Sequence, residues 1–195
     1  MRLIVGISGA SGVIYGIRLL EMLKGIDGIE THAVISRGAR LNIALETDWK
    51  AADVEALADV VHSDKDLAAP ISSGSFRTTG MIIAPCSMKT LSGVVNSYAD
   101  NLIVRAADVV LKERRRLVLV PRESPLHAGH LRLMHEAALM GAVICPPMPA
   151  FYGNPQTLDD IIDHSVGRAL DLFDIDTGRV RRWQGPRPGA TGDDP

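Results

Sequence analysis

The sequence has little cysteine, few aromatic residues and no large excess of either charge. Only Cys86 and Cys145 occur among 195 residues, which is too few for a disulfide framework or a cysteine-rich zinc site and is typical of a reducing compartment. Lysine and arginine total 21 against 23 acidic residues, so the chain lacks the general positive field that attracts nucleic acid or anionic membranes. Aromatic residues make up only 4%, so a flat ligand must rest mainly on backbone and aliphatic side chains.

Long uninterrupted apolar runs are also missing. The opening MRLIVGISGASG is broken at once by glycine and lacks a charged leader and a cleavage site, so we expect neither a signal peptide nor a membrane span. With 46% hydrophobic and 23% charged residues, the composition is that of an ordinary soluble globular protein, and the two cysteines lead us to expect a cytoplasmic one. The length favours one domain, predicted at residues 1–178, followed by a C-terminal arm and disordered tail at 179–195.

Short apolar runs alternate with amphipathic segments along the chain. The runs predict strands at 3–7, 31–35, 81–84, 117–120 and 143–145. Helical spacing of apolar residues predicts helices at 13–24, 101–115, 126–140 and 158–173, another through Arg40 and Leu45, and a short one at 54–58. Continuous apolar strands that alternate with helices indicate an α/β protein with a parallel sheet covered on both faces. We therefore predict a doubly wound, Rossmann-like or flavodoxin-like fold.

The loop Ser8–Gly12 joins the first predicted strand to the first helix. Glycines permit a tight turn and close backbone approach, and the start of a helix offers free N–H groups to an anion. The spacing is not G-x-G-x-x-G, a P-loop or a nucleophile elbow. Since ligands of such folds bind beyond the carboxyl ends of the strands, we interpret this loop as ligand-binding; a plain tight turn is the alternative.

A second candidate loop follows the strand at 81–84. Ser87 and Thr90, together with the N–H groups of the next helix, form a plausible phosphate site, although simple helix capping explains the same residues. Ser36 is a third hydroxyl expected at the same edge of the sheet. Three hydroxyl-bearing loops at one edge favour a phosphorylated cofactor such as FMN over a metal ion.

Several cations and one carboxylate are further candidates. Arg105 and Lys112 are seven residues apart and share one face of a predicted helix. Arg122 and Glu123 directly follow the strand at 117–120, which places both at the ligand edge. Solvated surface charges are the usual alternative for such residues, and the position of Arg122 and Glu123 argues against it most strongly.

The last third of the chain adds Tyr152, in the loop PAFYGNPQ, and Arg168, on the last helix. It also contains DDIID at 159–163, which matches the magnesium-binding pattern of isoprenoid synthases. We interpret that segment as a helix start instead, because Thr157 and Asp160 have the spacing of a capping box. The histidines show no zinc-site spacing, and no metal site is predicted.

The motifs GISGASGVIYGIRLLE, APCSMKTLSG, RAADVVLKERRRLVLVPRE, GAVICPP and PAFYGNPQ together resemble the UbiX-type flavin prenyltransferases. More narrowly, the chain is similar to members once called phenylacrylic acid decarboxylases or 4-hydroxybenzoate decarboxylase subunits, and the likeness extends from about Arg2 to Trp183. The resemblance implies transfer of a prenyl group from dimethylallyl monophosphate to N5 and then C6 of reduced FMN, which closes a fourth ring without a metal. It also implies a homododecamer with FMN at a subunit interface, and a UbiD-type decarboxylase that uses the product.

The resemblance also implies roles for individual residues. The expected FMN-binding residues are Gly9, Ala10, Ser11, Ser36, Ser87, Met88, Lys89, Thr90 and Arg122. The expected prenyl-phosphate residues are Tyr152, Arg168 and Lys112. The expected catalytic residues are Ser11, Glu46, Glu123, Lys112 and Arg105, of which Glu123 is paired with Ser11.

One position departs from the family pattern. Some members carry tryptophan shortly before the SSGS loop, where this chain has Leu67, so cation–π assistance to the prenyl group is missing and the donor preference is open. Two other functions remain compatible with the sequence. One is a flavin carrier or accessory subunit without chemistry of its own, and the other is a flavin-dependent peptidyl-cysteine decarboxylase.

Overall fold

A computed structural model describes residues 1–185 and contains one six-stranded parallel sheet within that range. The strands are β1 (Arg2–Ile7), β2 (Glu30–Ile35), β3 (Val60–His62), β4 (Gly80–Cys86), β5 (Arg116–Pro121) and β6 (Val143–Ile144). Every residue of β4 is buried, which is expected for a parallel strand covered on both faces and explains why the strand sequences read as continuous apolar runs.

Helices cover both faces of the sheet. They are α1 (Ile14–Lys24), α2 (Arg37–Glu46), α3 (Ala51–Glu55), α4 (Met88–Val95), α5 (Leu102–Lys112), α6 (Ala128–Leu139) and α7 (Leu158–Asp171). The core on one face contains residues of α1, α2, α3 and α7, and the core on the other contains residues of α4, α5 and α6. The predicted doubly wound α/β fold is therefore confirmed.

The strand order is β3-β2-β1-β4-β5-β6, the Rossmann order. Without the three-residue β3, the other five strands have the flavodoxin order. The chain direction across the sheet reverses between β1 and β4, so the loops that follow these two strands border the crevice where such folds bind ligands. Gly16 lets α1 pack directly against β4, because a Cβ atom there would lie 2.3 Å from the carbonyl oxygen of Ala84.

Several details of the sequence prediction were wrong. The strand predicted at 81–84 continues through Pro85 to Cys86, with an irregular register against β5 after Ile83. The short helix predicted at 54–58 is α3 at Ala51–Glu55. The short edge strand β3 was not predicted. Helix α5 ends at Lys112 instead of residue 115, since Arg114 adopts a positive φ of 54° that breaks the helical path.

The described part of the predicted C-terminal arm lies against the domain. Arg179 bonds Asp163 of α7, and Arg181 donates to the carbonyl oxygen of Gly153 at 2.9 Å. Trp183 packs edge-on against Tyr152. The rest of the predicted tail, residues 186–195, lies outside the described residues. Among residues 1–185, no helix has both the length and the apolar character needed to cross a membrane.

Candidate active site

A wide groove of about 1000 Å³ runs along the carboxyl edge of the sheet. It is bordered by the loops after β1, β2, β3, β4 and β5. Seven of the residues that the sequence or its resemblance suggested line it: Gly9, Ser36, Ser87, Met88, Lys89, Thr90 and Glu123. The fold thus brings together segments that are more than a hundred residues apart in the chain.

Two helices begin at this groove. The Ser36 hydroxyl accepts a hydrogen bond from the Ala39 N–H at 3.1 Å and caps α2. The Ser87 hydroxyl accepts from the Thr90 N–H at 3.2 Å and donates to the Thr90 hydroxyl at 3.0 Å. Both serines are therefore helix caps, which was the alternative interpretation stated for Ser87 and was not anticipated for Ser36. Capping and anion binding are compatible, because the remaining N–H groups of the first turn and the helix dipole still favour negative charge.

The loops after β1 and β2 approach each other through glycine. A Cβ atom at Gly9 would lie 3.1 Å from the Cα atom of Gly38, closer than a side chain ordinarily packs. The floor of the groove is therefore bare backbone at this point. That surface suits a ligand that must come within hydrogen-bond distance of the main chain, and it fits a phosphorylated flavin in a chain with few aromatic residues.

Ser8 ties the loop after β1 to the loop after β4. Its buried hydroxyl donates to the carbonyl oxygen of Pro85 at 2.9 Å and accepts from the Ser87 N–H at 2.8 Å. Ser8 lies in the predicted ligand-binding loop, but the expected FMN contacts were Gly9, Ala10 and Ser11, and no role was predicted for Ser8 itself. Its position directly after a buried strand was the available signal, and its role is to fix the relative position of two ligand-edge loops.

Glu46, Ser11 and Arg122 meet around the first loop. Glu46 Oε2 accepts from the Gly12 N–H at 2.7 Å, and Gly12 has a φ of 93° that favours glycine. Arg122 Nε donates to the Ser11 carbonyl oxygen at 3.0 Å. One carboxylate and one guanidinium therefore hold this loop, and the Ser11 side chain is exposed.

Glu123 is exposed and lines the groove beside Arg122. One of its carboxylate oxygens accepts from the Ser124 N–H at 3.0 Å, which orients the side chain. The other carboxylate oxygen remains available to a ligand. This geometry suits a group that accepts a proton from a molecule bound in the groove.

Tyr152 and Arg168 lie in a second cluster, on the exposed side of α7. The Tyr152 hydroxyl is 3.0 Å from Nε2 of His164, and Arg168 donates to Asp171 at 2.7 Å. Arg182 of the arm binds both oxygens of Asp171, at 2.8 and 3.0 Å. Hydrogen bonds from Arg182, and to a smaller extent from Arg168, hold the pKa of Asp171 below its ordinary value. Arg182 also pairs with Asp176 at 3.2 Å, while the Arg168 side chain stays 51% exposed and accessible to an anion.

Arg105 and Lys112 are not brought to the groove within one chain. Helix α5 starts beside it at Asn101 and runs toward the opposite edge of the sheet, so Lys112 lies about 10 Å further along the axis than Arg105. Arg105 donates to the Ser72 carbonyl oxygen at 3.1 Å and to Asp108 at 3.0 Å, and Lys112 pairs with Glu113. The seven-residue spacing places Arg105 and Lys112 on one face of α5. Residues on one face of a helix can still differ in their distance from one edge of the sheet, as these two do.

Three further features of the described residues concern cysteine reactivity and metal binding. Burial raises the pKa of the Cys86 thiol to about 12, which leaves it protonated and unreactive at neutral pH. Within residues 1–185, no three His, Cys, Asp or Glu side chains are grouped to hold a metal ion. Thr157 and Asp160 form the predicted capping box at the start of α7, so the DDIID segment is confirmed as a helix start.

The fold and the groove define a doubly wound α/β protein with a wide groove at the carboxyl edge of its sheet. The family model described as Flavoprotein matches residues 1–170. A flavin prenyltransferase UbiX from Salmonella typhimurium is 62% identical over 186 residues, which cover 94% of this chain and 98% of that protein. The chain therefore belongs to the flavoprotein family and, within it, to the UbiX-type flavin prenyltransferases.

Solved structures agree with this assignment. A dodecameric FMN-dependent UbiX-like decarboxylase from Escherichia coli O157:H7 is 56% identical with a TM-score of 0.94, over 95% of this chain and 100% of that one. AnUbiX (PadA1), solved in complex with FMN and dimethylallyl pyrophosphate, is 54% identical with a TM-score of 0.93, over 95% and 98% of the two chains. The family resemblance stated from the sequence motifs is confirmed.

Proposed function

We propose that the protein is a flavin prenyltransferase that joins the dimethylallyl group of dimethylallyl monophosphate to N5 and C6 of reduced FMN. The observation that carries this function is the pairing of a glycine- and hydroxyl-lined groove with a separate cluster that exposes the Tyr152 hydroxyl and the Arg168 guanidinium. Reduced FMN, when bound, supplies an electron-rich ring that the prenyl group can join. A carrier without chemistry of its own and a cysteine decarboxylase are not favoured, since neither needs a second phosphate site.

The FMN phosphate and ring are proposed to lie along the groove. Gly9 to Ser11, Ser36, and Ser87 to Thr90 supply backbone N–H groups and hydroxyls. Arg122 braces the first loop through Ser11 and adds positive charge at the groove. Glu46 holds the same loop through Gly12. This donor set is rich in N–H and O–H groups, as a phosphate and a flavin ring require.

The prenyl phosphate is proposed to bind Tyr152 and Arg168. Phosphate leaves readily only when its growing charge is neutralised, and guanidinium and phenol donors do this without magnesium. Arg182 continues to pair with Asp171 when Arg168 turns to a phosphate. Arg105 and Lys112 are proposed to add charge from a neighbouring subunit, because α5 directs Lys112 away from the groove of its own chain.

Glu123 is proposed as the group that accepts the proton lost from C6. Glu123 lines the groove, and its side chain is exposed. Ser11, at the tip of the first loop, is proposed to help orient it. The product, prenylated FMN, is proposed to serve a UbiD-type decarboxylase in the cytoplasm.

A mass spectrum of the flavin tests the function directly. The protein incubated with reduced FMN and dimethylallyl monophosphate is expected to yield FMN enlarged by one prenyl group. The same yield is expected after EDTA treatment, because the donors named above are organic side chains. Unchanged FMN would leave only the carrier function or the cysteine decarboxylase, and loss of turnover with EDTA would contradict the metal-free mechanism.

We expect a large homo-oligomer, and propose a dodecamer. Leu41 and Leu45, one turn apart on α2, are 61% and 73% exposed, and Leu139 on α6 is 75% exposed, so these helices carry apolar side chains that other copies of the chain can cover. Sedimentation is expected to give about 250 kDa for twelve copies of the 21.0 kDa chain. A mass near 21.0 kDa would contradict assembly and the proposed roles of Arg105 and Lys112 together.

A further inference from the structure

His164 is placed to act on the reaction through Tyr152, although no sequence motif pointed to it. Its Nε2 atom lies 3.0 Å from the Tyr152 hydroxyl, and the two rings meet edge to face with centroids 5.6 Å apart. His164 and Arg168 are one turn apart on α7 and therefore share a face. The imidazole is thus in contact with one proposed phosphate ligand and adjacent to the other.

The surroundings of His164 favour its neutral imidazole. Burial, followed by the positive charge of Arg168, lowers the pKa of His164 below its ordinary value, and Asp171 opposes the shift only in part. A neutral imidazole carries one N–H group and one bare nitrogen. The contact with Tyr152 can therefore run in either direction: the hydroxyl donates to Nε2, or Nε2–H donates to the hydroxyl.

Only one of these directions is compatible with a phosphate. A phosphate dianion offers acceptors alone, so the Tyr152 proton must point to it. The hydroxyl oxygen must then accept its other hydrogen bond from His164, which requires the proton on Nε2. The opposite tautomer would take the Tyr152 proton away from the phosphate and present an oxygen lone pair instead.

We propose that His164 is a positioning residue, which holds the Tyr152 hydroxyl through an Nε2–H donor so that its proton is directed to the prenyl phosphate. The inference rests on the proposed function, because it needs a phosphate at Tyr152. His164 touches neither the phosphate nor the flavin in this role. Its contribution is therefore to donor binding through Tyr152, and it vanishes when the Tyr152 hydroxyl is absent.

Binding of dimethylallyl monophosphate to the FMN-loaded protein, followed by flavin absorbance, tests the proposal. His164→Leu is expected to weaken donor binding roughly two- to tenfold, the range for one neutral hydrogen bond, with FMN affinity and the unfolding midpoint unchanged. His164→Gln is expected to restore part of the loss, because its amide N–H can reach the same oxygen. His135→Leu, an exposed histidine on α6, is the matched control and is expected to bind the donor normally.

A double-mutant cycle makes the test specific. Adding His164→Leu to Tyr152→Phe is expected to cost nothing further, whereas a merely structural role would add its own loss. In protein with ¹⁵N-labelled histidine and bound donor, Nε2 of His164 is expected to carry the proton. Normal donor binding by His164→Leu, independent losses in the cycle, or a bare Nε2 would each overturn the proposal while the function stands. Failure of the wild-type protein to bind the donor would overturn the function and this role together.

Discussion

Glu123→Gln is expected to leave FMN bound while it slows closure of the fourth ring by about a hundredfold or more, the usual cost of losing a general base. Glutamine keeps the shape of the side chain and its acceptor for the Ser124 N–H. It removes the charge and the ability to accept a proton. Because the carboxylate is exposed at the groove instead of buried in the core, the substitution is not expected to disturb folding.

Single-turnover absorbance of the FMN-loaded enzyme, together with a mass spectrum of the quenched flavin, measures this effect. Glu136→Gln is a matched control, since Glu136 pairs with Arg132 on the surface of α6 and has no place in the site. A wild-type rate in Glu123→Gln would remove the proton-accepting role. A slow rate accompanied by loss of FMN would move Glu123 from the chemistry to cofactor binding.

The loops around the groove could be predicted from the sequence because their signals are local. An apolar strand followed by glycine or a hydroxyl residue, and then by a helical pattern, identified Gly9, Ser36 and Ser87 without any structure. The rule that the carboxyl ends of parallel strands share one edge then placed these residues together. Gly9, Ser36 and Ser87 line the groove because the parallel topology brings the carboxyl ends of β1, β2 and β4 to the same edge of the sheet.

The sequence prediction failed where an apolar run was short or where the relevant contacts exist only in the folded chain. Strand β3 has only three residues, pairs with β2 alone and includes an exposed Val61, so it has no apolar run to detect. Its absence from the prediction also hid Asp64, which lines the groove and accepts from the Arg37 N–H. The strand predicted at 81–84 stops before Pro85, yet β4 includes Pro85, whose carbonyl oxygen accepts two hydrogen bonds from Ser8.

Lys112 and His164 show a different limit. Helical spacing tells which residues share a face, but it does not tell which edge of the sheet each turn reaches. Arg105 and Lys112 consequently looked like one cluster and are separated along α5. His164 was a single polar residue within an amphipathic helix, and only the folded loop that carries Tyr152 reveals its partner.

Arg168→Ala is expected to weaken the binding of dimethylallyl monophosphate about ten- to a hundredfold, which corresponds to roughly 1.5–3 kcal/mol for one charge-assisted hydrogen bond. FMN affinity is expected to remain nearly unchanged, because the contacts of Arg168 are with α7 and not with the groove. The structure makes this a clean substitution. Asp171 keeps both of its hydrogen bonds to Arg182, so no unpaired carboxylate is left behind.

Titration of the donor against FMN-loaded variants separates the two phosphate sites. Arg168→Lys is expected to recover only part of the affinity, because an ammonium group cannot reproduce the guanidinium fork, and Tyr152→Phe is expected to be milder than Arg168→Ala. Arg122→Ala should instead lower FMN occupancy, since it removes the brace on the Ser11 carbonyl. Arg132→Ala, a surface arginine on α6, is the control and should match the wild-type curve. If Arg168→Ala also matches that curve, Arg168 is a solvated surface residue and the prenyl phosphate binds elsewhere.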